Sequence, residues 1–191
     1  MKQLIIGSLV GALILFFWGF LSWTLLPVHF KSYHYTPAQD SVMSLINSSN
    51  LESGAYLMPM ADNRTGDYYG TYMPAMKKNH EAMKGKPFVS VFYSKEGIDS
   101  NPLRMLSGLL INLISVLCAS IILFAANARS GGFFGRWWIV MLIAAIISLE
   151  GQMIGVNWLG VPWHFAIGLI FDHMVGWALC GAWLSWYYGR E

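Results

Sequence analysis

Four long apolar runs constrain this chain more than any other feature of its sequence. Together they contain only three residues with an acidic side chain or an imidazole, which are Glu150, Asp172 and His173. A membrane-spanning helix needs about 20 apolar residues, because the hydrocarbon core is about 30 Å thick and each residue rises about 1.5 Å. Each run meets this length: Leu4–Leu26, Met105–Ala126, Trp137–Val156 and Phe165–Tyr188.

The composition agrees with four membrane-spanning helices. Of the 191 residues, 55% are hydrophobic and 12% are charged, whereas soluble domains carry about 25% charged residues. The net charge of +2 and the lack of a basic stripe argue against nucleic acid as a partner. We predict an all-α integral membrane protein, a bundle of four transmembrane helices with a small α+β extracytoplasmic domain between helices 1 and 2. The expected boundaries are 4–26, 104–127, 136–156 and 164–188 for the helices, and 27–103 for the domain.

The lysine and arginine residues predict the orientation. Lys2 precedes the first run, Arg129 and Arg136 flank the short turn between the second and third, and Arg190 follows the fourth. The connection over 151–164 carries neither residue type. Since positive charge collects in cytoplasmic loops, we expect both termini in the cytoplasm and the long segment outside. The short loops favour a bacterial inner membrane.

The long segment has the pattern of a small mixed domain. A capping box at Thr36–Gln39 predicts a short amphipathic helix, and Pro74–Met83 predicts a second one. Gly54–Met60 and Phe88–Tyr93 read as strands, and the second is apolar on both faces. The segment has no cysteine, and a domain of this size without disulfides is marginal alone. We expect it to rest on the helices, a second copy or a partner.

A polar cluster is predicted inside the membrane. Asn112, Glu150, Asp172 and His173 fall roughly 9–12 Å from the outer ends of their helices, at about 1.5 Å per residue. Polar groups at this depth are costly and indicate a functional site. The cluster could bind an ion, a lipid or a small molecule, or it could hold the helices together by hydrogen bonds. Adjacent residues on a helix point about 100° apart, which argues against Asp172 and His173 sharing one metal.

Small residues form a stripe on the fourth helix. His164, Gly168, Asp172, Gly176 and Cys180 recur every four residues and so share one face. The first helix repeats the spacing, and small residues let helices approach closely. The face could pack within the chain or dock a second copy or another subunit. The predicted helix-packing residues are Gly7, Gly11, Gly168, Gly176 and Cys180.

Methionine and histidine concentrate in the long segment. Thioether sulfur suits Cu(I), and Met76, His80 and Met83 would share a helix face. Methionine also fills gaps in small irregular cores, so packing is the simpler interpretation. The candidate copper ligands are Met58, Met60, Met73, Met76, His80 and Met83.

Three functions follow from these patterns. No nucleophile has a base beside it in the sequence, so we expect a non-enzymatic protein. The first hypothesis is an accessory subunit or scaffold, with membrane lipid and another membrane subunit or a second copy as partners. The second is ion, lipid or small-molecule binding or transport by the polar cluster. The third is copper handling by the outer domain, and beyond copper the sequence does not identify a cofactor.

Overall fold

The computed structural model describes residues 2–64, 66–97, 101–126 and 131–190. Within them the chain is mostly helical, with four long apolar helices and one small two-stranded sheet. Arg129, used above to predict the orientation, lies outside the described residues. In chain order the elements are α1 (Lys2–Thr24), α2 (Gln39–Ser48), β1 (Gly54–Met58), α3 (Met73–Met83), β2 (Val89–Tyr93), α4 (Pro102–Ala125), α5 (Gly132–Ser148), α6 (Ile154–Leu159) and α7 (Trp163–Tyr187).

Four helices of the described chain are long and apolar enough to cross a membrane. They are α1, α4, α7 and the continuous helix Gly132–Leu159, in which the π-helical turn Leu149–Met153 joins α5 to α6. Large apolar side chains remain exposed along them, including Ile111, Trp138 and Ile146. Such surfaces suit lipid rather than water, so the four helices fit an integral membrane protein.

The chain divides into two compact units, Met1–His34 with Ser100–Glu191, and Tyr35–Asp99. The first unit holds the core, which comes from α4, α5, α7 and Tyr188 just after α7. Its fully buried members include Val116, Val140, Cys180 and Leu184. The aromatic side chains of Trp177 and Tyr188 pack among these small and aliphatic residues.

Three tryptophan indoles join neighbouring helices through main-chain carbonyls. Trp183 of α7 donates its indole N–H to the carbonyl of Gly7 at 3.0 Å, and Trp137 of α5 donates to Ala178 at 3.1 Å. Trp18 of α1 donates to Asp172 at 3.0 Å. The two pairs between α1 and α7 show that these helices are antiparallel. Arg136 of α5 contacts Ser185 and Val140 lies against Gly181, so α5 and α7 are antiparallel as well. We call the end where α1 stops and α4 and α7 begin the upper end, and the opposite end the lower end.

Glycines allow α1 to approach its neighbours closely. A Cβ built at Gly11 would lie 2.7 Å from Cγ1 of Val116 and 3.0 Å from Sγ of Cys180. A Cβ at Gly176 would lie 2.8 Å from Cδ1 of Trp18. Since ordinary carbon contacts need about 3.5–4.0 Å, neither position accepts a larger residue without movement.

The second unit contains the sheet but no core. β1 pairs with β2 in antiparallel register, with Ala55 opposite Phe92. None of its described residues, 35–64 and 66–97, is buried. The expected capping box is absent, because the Thr36 hydroxyl accepts from the N–H of Ala38 and α2 begins without a side-chain cap. The apolar second strand is not covered on both faces, since Phe92 is 80% exposed.

Replacing Gly11 by alanine should destabilise the bundle. The added methyl group meets Val116, which is fully buried, and overpacking of this kind costs about 1–3 kcal/mol. Gly135 on α5 is the matched control, because a Cβ there has no neighbour within 4 Å. Thermal unfolding in one detergent should give a lower Tm for G11A and an unchanged or higher Tm for G135A. Equal Tm values would show that the close approach is not needed.

Candidate ligand-binding cleft between three helices

A cleft of about 400 Å³ lies between α1, α4 and α7 in their upper halves. Most of its lining is apolar and much of it is aromatic. The polar residues that line it are Asn112 of α4 and Asp172 and His173 of α7. The larger apolar residues are Phe16, Trp18, Phe20, Ile111 and Trp177. An apolar recess with a few convergent polar groups is the usual form of a small-molecule site.

Two glycines leave the cleft open. Gly19 of α1 and Gly108 of α4 line it, and a Cβ built at either position has no atom within 4 Å. Lower in the bundle, a Cβ built at Gly11 would overlap Val116 of α4. The helices α1 and α4 therefore touch in their lower halves and separate in their upper halves, where the missing side chains become open volume.

The cleft opens to the side of the bundle. Phe20 of α1 and Met105 and Ile111 of α4 line it and are exposed. Gly176 and Trp177 of α7 also line it and are buried. A ligand could therefore enter between α1 and α4 and meet α7 at the back.

Asp172 is held from two directions. Its main-chain carbonyl accepts the indole N–H of Trp18 at 3.0 Å. Its carboxylate oxygen Oδ2 lies 3.5 Å from Nε2 of His29, which is an ion-pair distance without hydrogen-bond geometry. The two side chains are 12% and 7% exposed, so this pair is shielded from most of the solvent.

The turn that follows α1 brings His29 to this position. Pro27–His29 forms a 3₁₀ turn, and the His29 ring stacks on Trp23 with the ring centres 3.8 Å apart. Gly168 of α7 makes room for the turn, because a Cβ there would lie 3.0 Å from Oγ of Ser32 and 3.5 Å from Nδ1 of His29. The turn therefore packs directly on α7.

Two buried polar atoms at the cleft have no hydrogen-bond partner within the described chain. They are Oδ1 of Asp172 and Nδ1 of His173. Leaving a buried polar atom unpaired costs about 1–3 kcal/mol, and such atoms are rare in folded proteins. Both residues line the cleft, so a ligand there would lie next to side chains that still need hydrogen-bond partners.

The structure brings three of the four residues of the predicted polar cluster together. Asn112, Asp172 and His173 line one cleft, while Glu150 does not line it and is exposed on the π-helical turn. Asp172 and His173 share the cleft although they are adjacent on α7, because a cleft is wider than the single point that a metal would require. Distance from a helix end could predict the depth of Glu150 but not the direction of its side chain.

The small-residue stripe of α7 packs within the chain. His164 meets the ring of His34 with centres 4.7 Å apart, and Gly168 and Asp172 meet the turn after α1. Gly176 packs against Trp18, as described above, and Cys180 lies near Gly11. Gly7 packs against the Tyr188 ring, with which a Cβ there would overlap. This face is therefore occupied by α1 and its following turn.

The six candidate copper ligands all belong to the second unit, and most of them are exposed. Met58, Met60, Met73 and His80 are exposed, and Met76 and Met83 are half-buried on α3. The described residues also contain no group of three His, Cys, Asp or Glu side chains that could hold a metal ion. Copper binding stays a prediction from composition.

A polar network at the lower end of the bundle was not predicted from the sequence. Ser8 donates to Oγ of Ser120 at 3.2 Å, and the Tyr188 hydroxyl donates to the same atom at 2.9 Å. Arg136, interpreted above only as a topology signal, is 5% exposed and donates to the Ser185 carbonyl at 2.9 Å. The serines inside the apolar runs were the sequence feature that could have predicted this network. His29 was missed because it lies outside the runs.

Comparisons with protein-family models, with curated proteins and with solved structures gave no match to this chain.

Removing His29 should destabilise the upper end of the bundle. H29A removes the imidazole that lies 3.5 Å from the Asp172 carboxylate, and when that imidazole is protonated the loss of a buried ion pair costs about 3–5 kcal/mol. The double variant H29A/D172N should regain much of that loss, since no charge remains to be paired. Thermal unfolding of wild type, both single variants and the double variant measures this coupling. Additive losses would show that the pair does not interact.

Proposed function

We propose that this chain is an integral membrane protein that binds a small amphiphilic molecule in the cleft between α1, α4 and α7. The observation that carries the proposal is the combination of one apolar recess with Asn112, Asp172 and His173 on its wall. Intramembrane polar groups are expensive and therefore indicate a function. Two of these residues have a buried polar atom without a hydrogen-bond partner within the described chain.

The shape of the cleft suits a ligand that arrives through lipid. Its volume of about 400 Å³ lies within the range of small-molecule sites, about 300–1,000 Å³. Its exposed rim residues, Phe20, Met105 and Ile111, are apolar and belong to two membrane-spanning candidates. An amphiphile could enter sideways, with its head group at the polar wall and its apolar part in the opening.

The proposed orientation places the cleft in the outer half of a bacterial inner membrane. The positive flanks Lys2 and Arg190 lie at the lower end, as does Arg136 near the start of α5. The positive-inside rule then puts the lower end and both termini in the cytoplasm. Residues 27–103 would then be on the extracytoplasmic side.

Filling the cleft should remove the ligand without disturbing the fold. G108F places a ring in open volume, because no atom lies within 4 Å of a Cβ at this position. G135F is the matched control, with equally free space on α5 outside the cleft. Native mass spectrometry of proteins extracted in lipid nanodiscs should show a bound amphiphile on wild type and G135F, and a loss of about tenfold or more in occupancy on G108F.

The proposal is wrong if all three proteins carry the same bound molecules in the same amounts. It is also wrong if wild type carries none beyond the lipids found in protein-free nanodiscs. A lower Tm for G108F than for G135F would indicate damage to the fold, and G19F then tests the same volume from the α1 side, where a Cβ is also free.

Association with a partner chain is a second candidate function, favoured by the unit Tyr35–Asp99. None of its described residues is buried, and its sheet has two strands within the described part of the chain. Small two-stranded sheets are marginal in water, and open edges readily pair with other chains. An accessory subunit or scaffold would gain its stability from such contacts. The small-residue helix face adds no support, because α1 and its following turn occupy it.

Placing a charge on the sheet should weaken this association. Phe92 is 80% exposed on β2, and F92E would place a carboxylate on the face that a partner would cover. Tyr69 is the control, since it is 82% exposed in a turn away from the sheet. The mass of complexes extracted in native nanodiscs should fall for F92E and not for Y69E. A monomeric wild type, or equal masses for all three, would contradict the association.

A further inference from the structure

We propose that the cleft selects a ligand whose head group is a cationic amine bearing N–H donors, attached to an apolar body. The inference rests on the proposed function and adds the chemical class of the ligand. It combines three observations at the cleft, which are its charge, its aromatic walls and its unpaired acceptors.

The charge of the cleft favours a cation. Among the described residues, Asp172 is the acidic one on its lining, and none of their lysines or arginines lines it. His29 approaches Oδ2 at 3.5 Å from the side of the following turn and without hydrogen-bond geometry, so it does not saturate the carboxylate. The second oxygen, Oδ1, is left without a partner within the described chain. An anionic head group would meet this carboxylate at close range and be repelled.

Aromatic rings line the rest of the cleft. Phe16, Trp18 and Phe20 of α1 and Trp177 of α7 all belong to its lining. The faces of aromatic rings attract cations, most strongly in sites that exclude water. Indole is the best ring for this purpose, and two of the four residues carry it. The walls therefore favour the same charge as the carboxylate does.

The unpaired atoms call for hydrogen-bond donors. A carboxylate oxygen only accepts, so Asp172 offers hydrogen-bond acceptors at the cleft wall, and its Oδ1 has no partner within the described chain. The side-chain oxygen of Asn112 can accept a second N–H, and Nδ1 of His173 can accept a third when its ring proton is on the other nitrogen. A primary ammonium offers three donors on one compact charge. A quaternary ammonium has the charge but no donor, and an alcohol has a donor but no charge.

Three ligands with the same ten-carbon alkyl tail distinguish the effect of the positive charge from the effect of the N–H donors, with no change to the protein. Tritiated decylamine is bound to the full chain in nanodiscs and displaced with unlabelled decylamine, decyltrimethylammonium or decanol. We expect decylamine to displace at concentrations at least about tenfold lower than either of the others. Binding to protein-free nanodiscs measures partition into the lipid and is subtracted.

Variants assign the selectivity to the cleft. D172N should lower decylamine affinity by about tenfold or more and leave the weak binding of decanol unchanged. D62N is the matched control, because Asp62 is an exposed carboxylate paired with Arg64 outside the cleft. If D172N does not fold, the head-group series on wild type and on G108F still decides the question.

Each outcome separates this inference from the proposed function. Decanol that displaces as well as decylamine, with both lost in G108F, overturns the amine selectivity and leaves the amphiphile site standing. Decyltrimethylammonium that displaces as well as decylamine overturns the requirement for N–H donors. If no probe distinguishes wild type from G108F, both the inference and the proposed function fail.

Discussion

The close approach of α1 to α7 is the contact on which the other features depend. Gly176 lets the Trp18 ring lie against α7, and the indole N–H then reaches the carbonyl of Asp172 at 3.0 Å. Gly168, two turns earlier, lets the chain after α1 fold back so that His29 meets the Asp172 carboxylate. With α1 fixed to α7 along this line, α4 packs on the lower half of α1 and leaves the upper half open.

The length of the apolar runs could predict the helices, and the depth of polar residues could predict part of the site. Asn112, Asp172 and His173 stand out as polar residues within such runs, and they do line one cleft. Glu150 is also a polar residue within an apolar run, but its helix contributes no residue to the lining of the cleft. The direction of a side chain depends on the rotation of its helix against its neighbours, and evenly apolar runs carry little information about that rotation. His29 was unpredictable for a related reason, since a turn after a helix can fold in several directions.

The cleft shows how one residue type can have opposite effects in neighbouring places. At Gly11 and Gly176, a residue of a neighbouring helix occupies the space that a side chain would take, so these glycines bring helices together. Gly19 and Gly108 face no neighbour, so their missing side chains become open volume. Sequence spacing does not distinguish the two cases. Only the packed arrangement shows which glycines join helices and which create space, and in this chain that difference separates the lower core from the upper cleft.

The three tryptophan bonds have a consequence for how the chain can change. In each bond the donor is a side chain, whereas the acceptor is a main-chain carbonyl, at Gly7, Asp172 or Ala178. Every amino acid supplies a carbonyl, so the accepting positions can vary in sequence without losing the bond, as long as the new side chain fits. The donating positions have no such freedom, because no other side chain carries an indole N–H. The alignment of the helices thus depends on the residue type at the donating position and not at the accepting position. At each contact, the accepting position should therefore tolerate more substitutions than the tryptophan does.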